Sequence, residues 1–354
     1  MQSRRQRLAA ALDRAGAQAF LAHHRPNQLY FLDHPDPSTV ISRGNCHAIL
    51  FGPDQTVVFP GIWISNACRD LLANCEVIPC ELGDPPPSEQ LESYLKKAGL
   101  GKILSDQLKP QVSGTQVVVE DVGALIRRRK DERDLAFMRE AARIADLGMS
   151  TAFRAARPGI TTLEAIAEGT AAMLRAGAEY AAMNPAVGIG TYYLDSGEDP
   201  RRVIQEGDML FIDMACYAHG YLGDMTRAAI LGEGTPQQRE LLATVHQAYR
   251  TASQAMVPGA EGRRIYQSVV DTYAARGWAK YFVHHLSHGL GLGNDRPGIN
   301  REGGDVLQAG DALSCEPGIY VPGVGGARVE NMIYVSEKGP EELTRCPIVP
   351  ELGF

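Results

Sequence analysis

At 354 residues the chain exceeds the length at which a single hydrophobic core stops growing, so two domains are expected. Its 44% hydrophobic and 22% charged residues are those of a globular protein, with no apolar run long enough to span a bilayer. A net charge of −7, without a basic stripe interleaved with aromatics, argues against nucleic acid or a membrane surface as partner.

The opening "MQSRRQRLAAALDRAGAQAF" resembles a signal peptide only superficially. Asp13 and Arg14 break its apolar stretch, and Leu8, Leu12 and Ala15 recur at helical spacing, which predicts a surface helix. Short apolar strands follow in "AQAFLAHH", "HAILFG" and "TVVFPG", and "SEQLESYLKKAGL" is amphipathic, together a small α/β unit over residues 1–118. Residues 121–156 carry one long helical pattern ended by Pro158-Gly159. Its basic run Arg127, Arg128, Arg129, Lys130 is followed at once by acids and reads as a solvated helix start. "TTLEAIAEGTAAMLRAGA" is a second helix with a threonine N-cap. From Val187 onward strands punctuated by glycine and proline alternate with two more helices. Seven cysteines without a C-x-x-C pair predict reduced thiols and a cytoplasmic setting, with Cys216 and Cys315 as small buried hydrophobes.

The chemistry is concentrated in two acidic hairpins. "MLFIDMACY" and "YLGDMTRAAI" flank a turn, and if that turn centres on Ala218 and His219, Asp213 faces Asp224 directly. Two bare carboxylates 4 Å apart repel by roughly 4 kcal/mol at an effective dielectric of 20, so a proton or a cation must sit between them. "LSCEPGIYVPGVGGARVENMIYV" repeats the arrangement: Glu316 and Glu330 are symmetric about Gly323, with Arg328 on the face of Glu330. Between the hairpins lies "YFVHHLSHGLGLG", with His284, His285 and His288. Four carboxylates and one imidazole suit two divalent cations and hydrolytic chemistry. "HGLGLG" lacks the spacing and following helix of a dinucleotide loop.

In the order Asp, ten residues, Asp, then His-Gly, Glu-Pro-Gly and Arg-x-Glu, the chain resembles the pita-bread (M24-type) metallopeptidases. These include Xaa-Pro dipeptidase (prolidase), aminopeptidase P and methionine aminopeptidase, with creatinase a non-peptidase member. The resemblance covers nearly the whole chain. It implies an α+β fold, with a pita-bread catalytic domain of curved antiparallel sheet over residues 119–354 behind a creatinase-like N-terminal α/β domain over residues 1–118. The layout points to the prolidase and aminopeptidase P branch. The resemblance places the metal ligands on Asp213, Asp224, His288, Glu316 and Glu330. By the same resemblance Asp224 and Glu330 would bridge two ions of Mn, Co or Zn, and Glu316 would be general base and acid for a metal-bound hydroxide. His284 and Arg328 match substrate-side positions, and Thr226 is a partner for a ligand carboxylate.

Three positions depart from the family pattern. Asp295 and Ser196 stand where histidines that contact substrate are expected, and Met183 where a tyrosine often precedes the upstream strand. The expected activity is therefore hydrolysis of the Xaa-Pro bond in dipeptides or short peptides by a cytoplasmic homodimer. Creatinase-like cleavage of a C–N bond in a small metabolite is the alternative, and a catalytically silent binding module a third.

Overall fold

The computed structural model describes residues 3–32, 34, 38, 46–107, 112–188, 191, 199, 201–348 and 351–352, an α+β chain divided into two compact units, Met1–Arg127 and Arg128–Phe354.

The first unit is a mixed six-stranded sheet in the order β4-β3-β2-β1-β5-β6. Its strands are β1 (Ala19–Ala22), β2 (Cys46–Phe51), β3 (Thr56–Pro60), β4 (Glu76–Val77), β5 (Lys102–Ser105) and β6 (Gln116–Val119). The predicted surface helix runs from Arg4 to Ala15. Ser3 and Gln6 form a reciprocal capping box, Leu8 and Leu12 are buried, and Gly16 ends the helix in the left-handed region. The helix Pro87–Ala98 buries Leu91 and Leu95, the positions its amphipathic pattern marks for the core.

The second unit holds two larger sheets. One is β18-β9-β8-β7, built from β7 (Tyr180–Val187), β8 (Met209–Ala218), β9 (Tyr221–Leu231) and β18 (Glu351–Leu352). The other is β12-β11-β10-β13-β16-β17, an antiparallel sheet of β10 (Ser287–Gly291), β11 (Gly293–Asn300), β12 (Gly303–Gly304), β13 (Ala312–Cys315), β16 (Asn331–Ser336) and β17 (Gly339–Glu342). A ribbon of β14 (Gly318–Val321) and β15 (Gly325–Arg328) extends from it, and an isolated bridge between Thr226 and Glu330 joins the two sheets.

Strand alternation decides where the acids point. On β8, Leu210, Ile212, Met214 and Cys216 enter the core that also holds Ala141, Ile144 and Met149 of the helix Glu132–Ala155. Met209 and Phe211 enter the opposite core with Ala228 and Ile230 of β9, and Asp213 is next on that face. Asp224 and Thr226 precede Ala228 in the same alternation. Both carboxylates therefore continue an apolar face rather than decorate a solvated one.

Two expectations change. The long helical pattern is two helices, Val122–Arg128 and Glu132–Ala155, because Asp131 and Asp134 form a capping box that starts the second. The basic run is not a solvated helix start: Lys130 is buried, and Arg128 grips both oxygens of Asp311 at 2.8 and 2.9 Å. Those partners lie far along the chain, so local charge pattern did not reveal them. Among the described residues no helix is long and apolar enough to cross a membrane.

Candidate metal centre

The first acidic hairpin turns one position later than expected. His219 and Gly220 both adopt positive φ, 51° and 78°, forming a two-residue turn of the kind whose twist matches that of paired strands. Consequently Asp213 faces Thr226 and Asp224 faces Ala215. The aspartates are diagonal neighbours on one face, where Cβ atoms lie about 7–8 Å apart instead of in direct opposition. Their bare repulsion falls to about 2 kcal/mol at the same dielectric, so the pair by itself demands less compensation.

The second hairpin keeps the expected register. Ala312 pairs with Tyr334, Cys315 with Asn331, Gly318 with Arg328 and Val321 with Gly325, all symmetric about Gly323. Glu316 and Glu330 fall at the break between these ladders. There the backbone N–H of Glu316 donates to Leu286 and that of Glu330 to Thr226. The break thus presents both acids to β9 and β10.

Asp224, His288, Glu316 and Glu330 converge. His288 Nε2 lies 3.4 Å from Asp224 Oδ2 and 3.5 Å from Glu316 Oε1. Two sets of donor atoms are close enough to share a cation: Asp224, His288 and Glu330, and His285, His288 and Glu316, each set lying within 4.8 Å. Asp213 stands in neither set. Its Oδ2 is 2.8 Å from Arg328 Nη2, and its Oδ1 is 2.9 Å from the Thr226 hydroxyl. Thr226 also lies 2.8 Å from Glu330 Oε2 and receives Arg328 Nε at 3.1 Å. One hydroxyl proton cannot serve two carboxylates, so Thr226 ties Asp213 and Glu330 together only if one of them is otherwise neutralised.

The electrostatics point the same way. Burial, then the charges of Asp224, Glu316 and Asp213, push Glu330 well above the ordinary carboxyl range. Burial also raises Asp224, against the pull of His288. Burial alone would disfavour a charged His288, but its contacts with Asp224 and Glu316 outweigh this and lift the ring to about 9. For Glu316 burial is likewise overcome, by the His285 hydrogen bond and the charges of His288, His285 and Arg328, and the carboxyl is held at about 2. A buried cluster whose carboxylates compete for protons in this way fits divalent cations, which relieve the same charge without protonation.

His284 lies beside this cluster. Its Nδ1 donates to the His285 carbonyl at 2.6 Å, which fixes the tautomer and leaves Nε2 to accept the Tyr320 hydroxyl at 3.2 Å. Burial, then the Arg328 charge, lowers this ring to about 4, so it is neutral at neutral pH. Arg328 Nη1 in turn donates to Tyr320 at 2.8 Å.

Three residues of the site, Ser314, Tyr320 and Arg227, are not marked by the sequence, and a fourth, His285, is named there without a role. Ser314 donates to Glu316 Oε1 at 2.9 Å and accepts the backbone N–H of His288 at 3.0 Å. Tyr320 links Arg328 to His284, and His285 Nε2 is 3.0 Å from Glu316 Oε1. Arg227, 3% exposed, donates to the carbonyls of Thr226 and Glu330 and to the Asn331 side chain. Period-two alternation back from Glu316 reaches Ser314, and the symmetry about Gly323 puts Tyr320 on the face of Arg328. Nothing local marks Arg227.

The three departures resolve differently. Asp295 is 2% exposed at its side chain and pairs with Lys130 at 3.0 Å, so it offers no free group to a substrate. Met183 is buried in the core beneath β7, and it is Asn184 that pairs across from Asp213. Ser196 lies outside the described residues.

Residues 136–337 match the model of metallopeptidase family M24. A Xaa-Pro dipeptidase from Pyrococcus furiosus is 29% identical over 229 residues, 64% of this chain and 66% of that one. Among solved structures, a Xaa-Pro dipeptidase from Bacillus anthracis superposes with a TM-score of 0.85 at 23% identity, over 98% of this chain and 99% of that one. An X-Pro aminopeptidase from Thermotoga maritima superposes with a TM-score of 0.84 at 22% identity, over 99% and 100%. At such identities the superpositions speak to the fold.

Proposed function

Because the chain belongs to metallopeptidase family M24, a family of divalent-metal enzymes, we propose that it is an exopeptidase cleaving the Xaa-Pro bond of dipeptides or short peptides. Asp213, Asp224, His288, Glu316 and Glu330 would hold two ions of Mn, Co or Zn. The observation that carries this reading is the convergence of Asp224, His288, Glu316 and Glu330 from four separate segments into one buried cluster.

When bound, such a cation pair lowers the pKa of water toward neutrality and polarises the scissile carbonyl. Glu316 takes the proton of the attacking water and passes it to the departing nitrogen, its Oε1 steadied by Ser314. Neutral His284 and the Tyr320–Arg328 pair flank the cluster, where they orient the substrate beside the bond to be broken. Arg328 also orients Asp213 toward the cluster through its 2.8 Å contact with Oδ2.

A creatinase-like reaction draws on Ser196 and Asp295. The pairing of Asp295 with Lys130 removes one of those two supports. The reading also includes a homodimer, which a light-scattering mass of 38.4 kDa would contradict.

The deciding experiment is proline release from Ala-Pro, Gly-Pro and longer Xaa-Pro peptides after metal removal and readdition of Mn²⁺. Metal-dependent release that disappears in Asp224→Asn is expected. A protein that binds two cations yet releases no proline from any of these peptides overturns the proposal.

A further inference from the structure

We propose that His285 is a sixth protein donor to the cation pair, on the side of the centre formed by His288 and Glu316. This rests on the reading of the cluster as a cation centre, and it adds a residue outside the five-ligand set of the resemblance.

Donors bound to one cation at about 2.0–2.2 Å stand about 2.8–3.6 Å apart at angles between right and tetrahedral. His285 Nε2 to Glu316 Oε1 is 3.0 Å, His288 Nε2 to the same oxygen is 3.5 Å, and His288 Nε2 to Asp224 Oδ2 is 3.4 Å. Each separation has the length of a coordination-shell edge, the first two within the set of His285, His288 and Glu316 and the third within that of Asp224, His288 and Glu330. The rings of His285 and His288 meet edge to face with centroids 5.6 Å apart, and the Nε2 atoms of both approach Glu316 Oε1.

A plain hydrogen bond from His285 accounts for less. Glu316 Oε1 already accepts the Ser314 hydroxyl at 2.9 Å, so the carboxylate is oriented without it. The His285 backbone is also fixed, since its carbonyl accepts His284 Nδ1 at 2.6 Å. With its side chain 47% exposed, His285 closes the cluster from the open side, where an imidazole can take up a cation without a burial penalty. A second imidazole makes this half of the centre softer and favours Zn²⁺ or Co²⁺ over Mn²⁺ there.

The test uses full-length His285→Gln, whose amide can still donate to Glu316 but binds transition metals poorly. Cobalt-loaded wild type and variant are dialysed against graded chelator, and bound cobalt and its visible absorption are measured. Wild type is expected to hold two equivalents. The variant should lose one at about tenfold lower chelator, with an altered visible band. His285→Cys, which replaces the imidazole with a thiolate donor, should recover the second equivalent; failure to recover it counts against the proposal. Equal retention and an unchanged band in His285→Gln overturn the proposal alone. A wild-type protein that binds no cobalt overturns the cation-centre reading as well.

Discussion

Arg328 Nη2 lies 2.8 Å from Asp213 Oδ2, and the same guanidinium reaches Thr226 through Nε and Tyr320 through Nη1. Three directed contacts from one planar group tie the end of β15 to Asp213 on β8, Thr226 on β9 and Tyr320 on β14. Replacing Arg328 by Met leaves Asp213 without its cation. Because the Asp213 side chain is 25% exposed, the expected loss lies at the low end for a broken buried pair, about 3 kcal/mol in the metal-free protein. Arg328→Lys should lose less but still lose activity, since one ammonium cannot serve all three partners. Urea unfolding of the apoproteins measures both, and an unchanged midpoint in Arg328→Met would show that the pair adds no stability.

Thr226 is the second hub, touching Asp213, Glu330 and Arg328 through a single hydroxyl. Thr226→Val keeps the shape and removes that hydroxyl. The carboxylates then lose their shared partner at a buried position, which costs about 1–3 kcal/mol. Misoriented ligands should also weaken cation retention by about 10–100-fold, read by dialysis against chelator. Retention equal to wild type would mean that the Thr226 hydroxyl does not orient the ligand carboxylates.

Local pattern carried the acids and the second hairpin because both obey rules of short range. Period-two alternation placed Asp213, Asp224 and Thr226 on one face, and the symmetry about Gly323 fixed the register that brings Glu316 and Glu330 to one break. The first hairpin differs by one turn position because a turn centred on Ala218 and His219 would ask Ala218 for positive φ, whereas His219 and Gly220 adopt it at lower cost. The His219 ring stacks on Phe137 with centroids 4.6 Å apart. Asp295 and Lys130 were illegible for another reason. Their pairing joins positions far apart in sequence, and each alone looks like an ordinary surface charge. Arg227 is the extreme case, a buried arginine whose partners are mostly backbone carbonyls, which no sequence pattern announces.

The turn itself is testable. Gly220 has φ 78° and donates its N–H to Glu179. A Cβ in the left-handed region costs about 1–2 kcal/mol, so Gly220→Ala should lower stability by that amount. Ten cross-strand pairs from Met209–Ile230 to Ala218–Tyr221 still hold the register. Cation retention should therefore be unchanged while the melting temperature falls. A loss of cations in Gly220→Ala would show that the turn, not the ladder, sets the spacing of Asp213 and Asp224.

His246, in the helix Pro236–Ala255, gives the fold a pH dependence separate from the acidic cluster. Its Nε2 is buried with no hydrogen-bond partner among the described residues. Burial, then the charges of Arg250 and Arg227, lowers the ring from 6.5 to about 4. Between pH 4 and 6.5 the unfolded chain therefore binds more protons at this position than the folded one, so stability rises with pH across that window and is lost as pH falls through it. The shift corresponds to about 3 kcal/mol over the full window. His246→Leu removes the titrating group and should flatten that part of the stability profile while leaving the acid limb from the carboxylates. Urea midpoints at half-unit pH steps on both proteins decide the matter: parallel profiles would mean that the folded protein opens locally to protonate His246 at little cost.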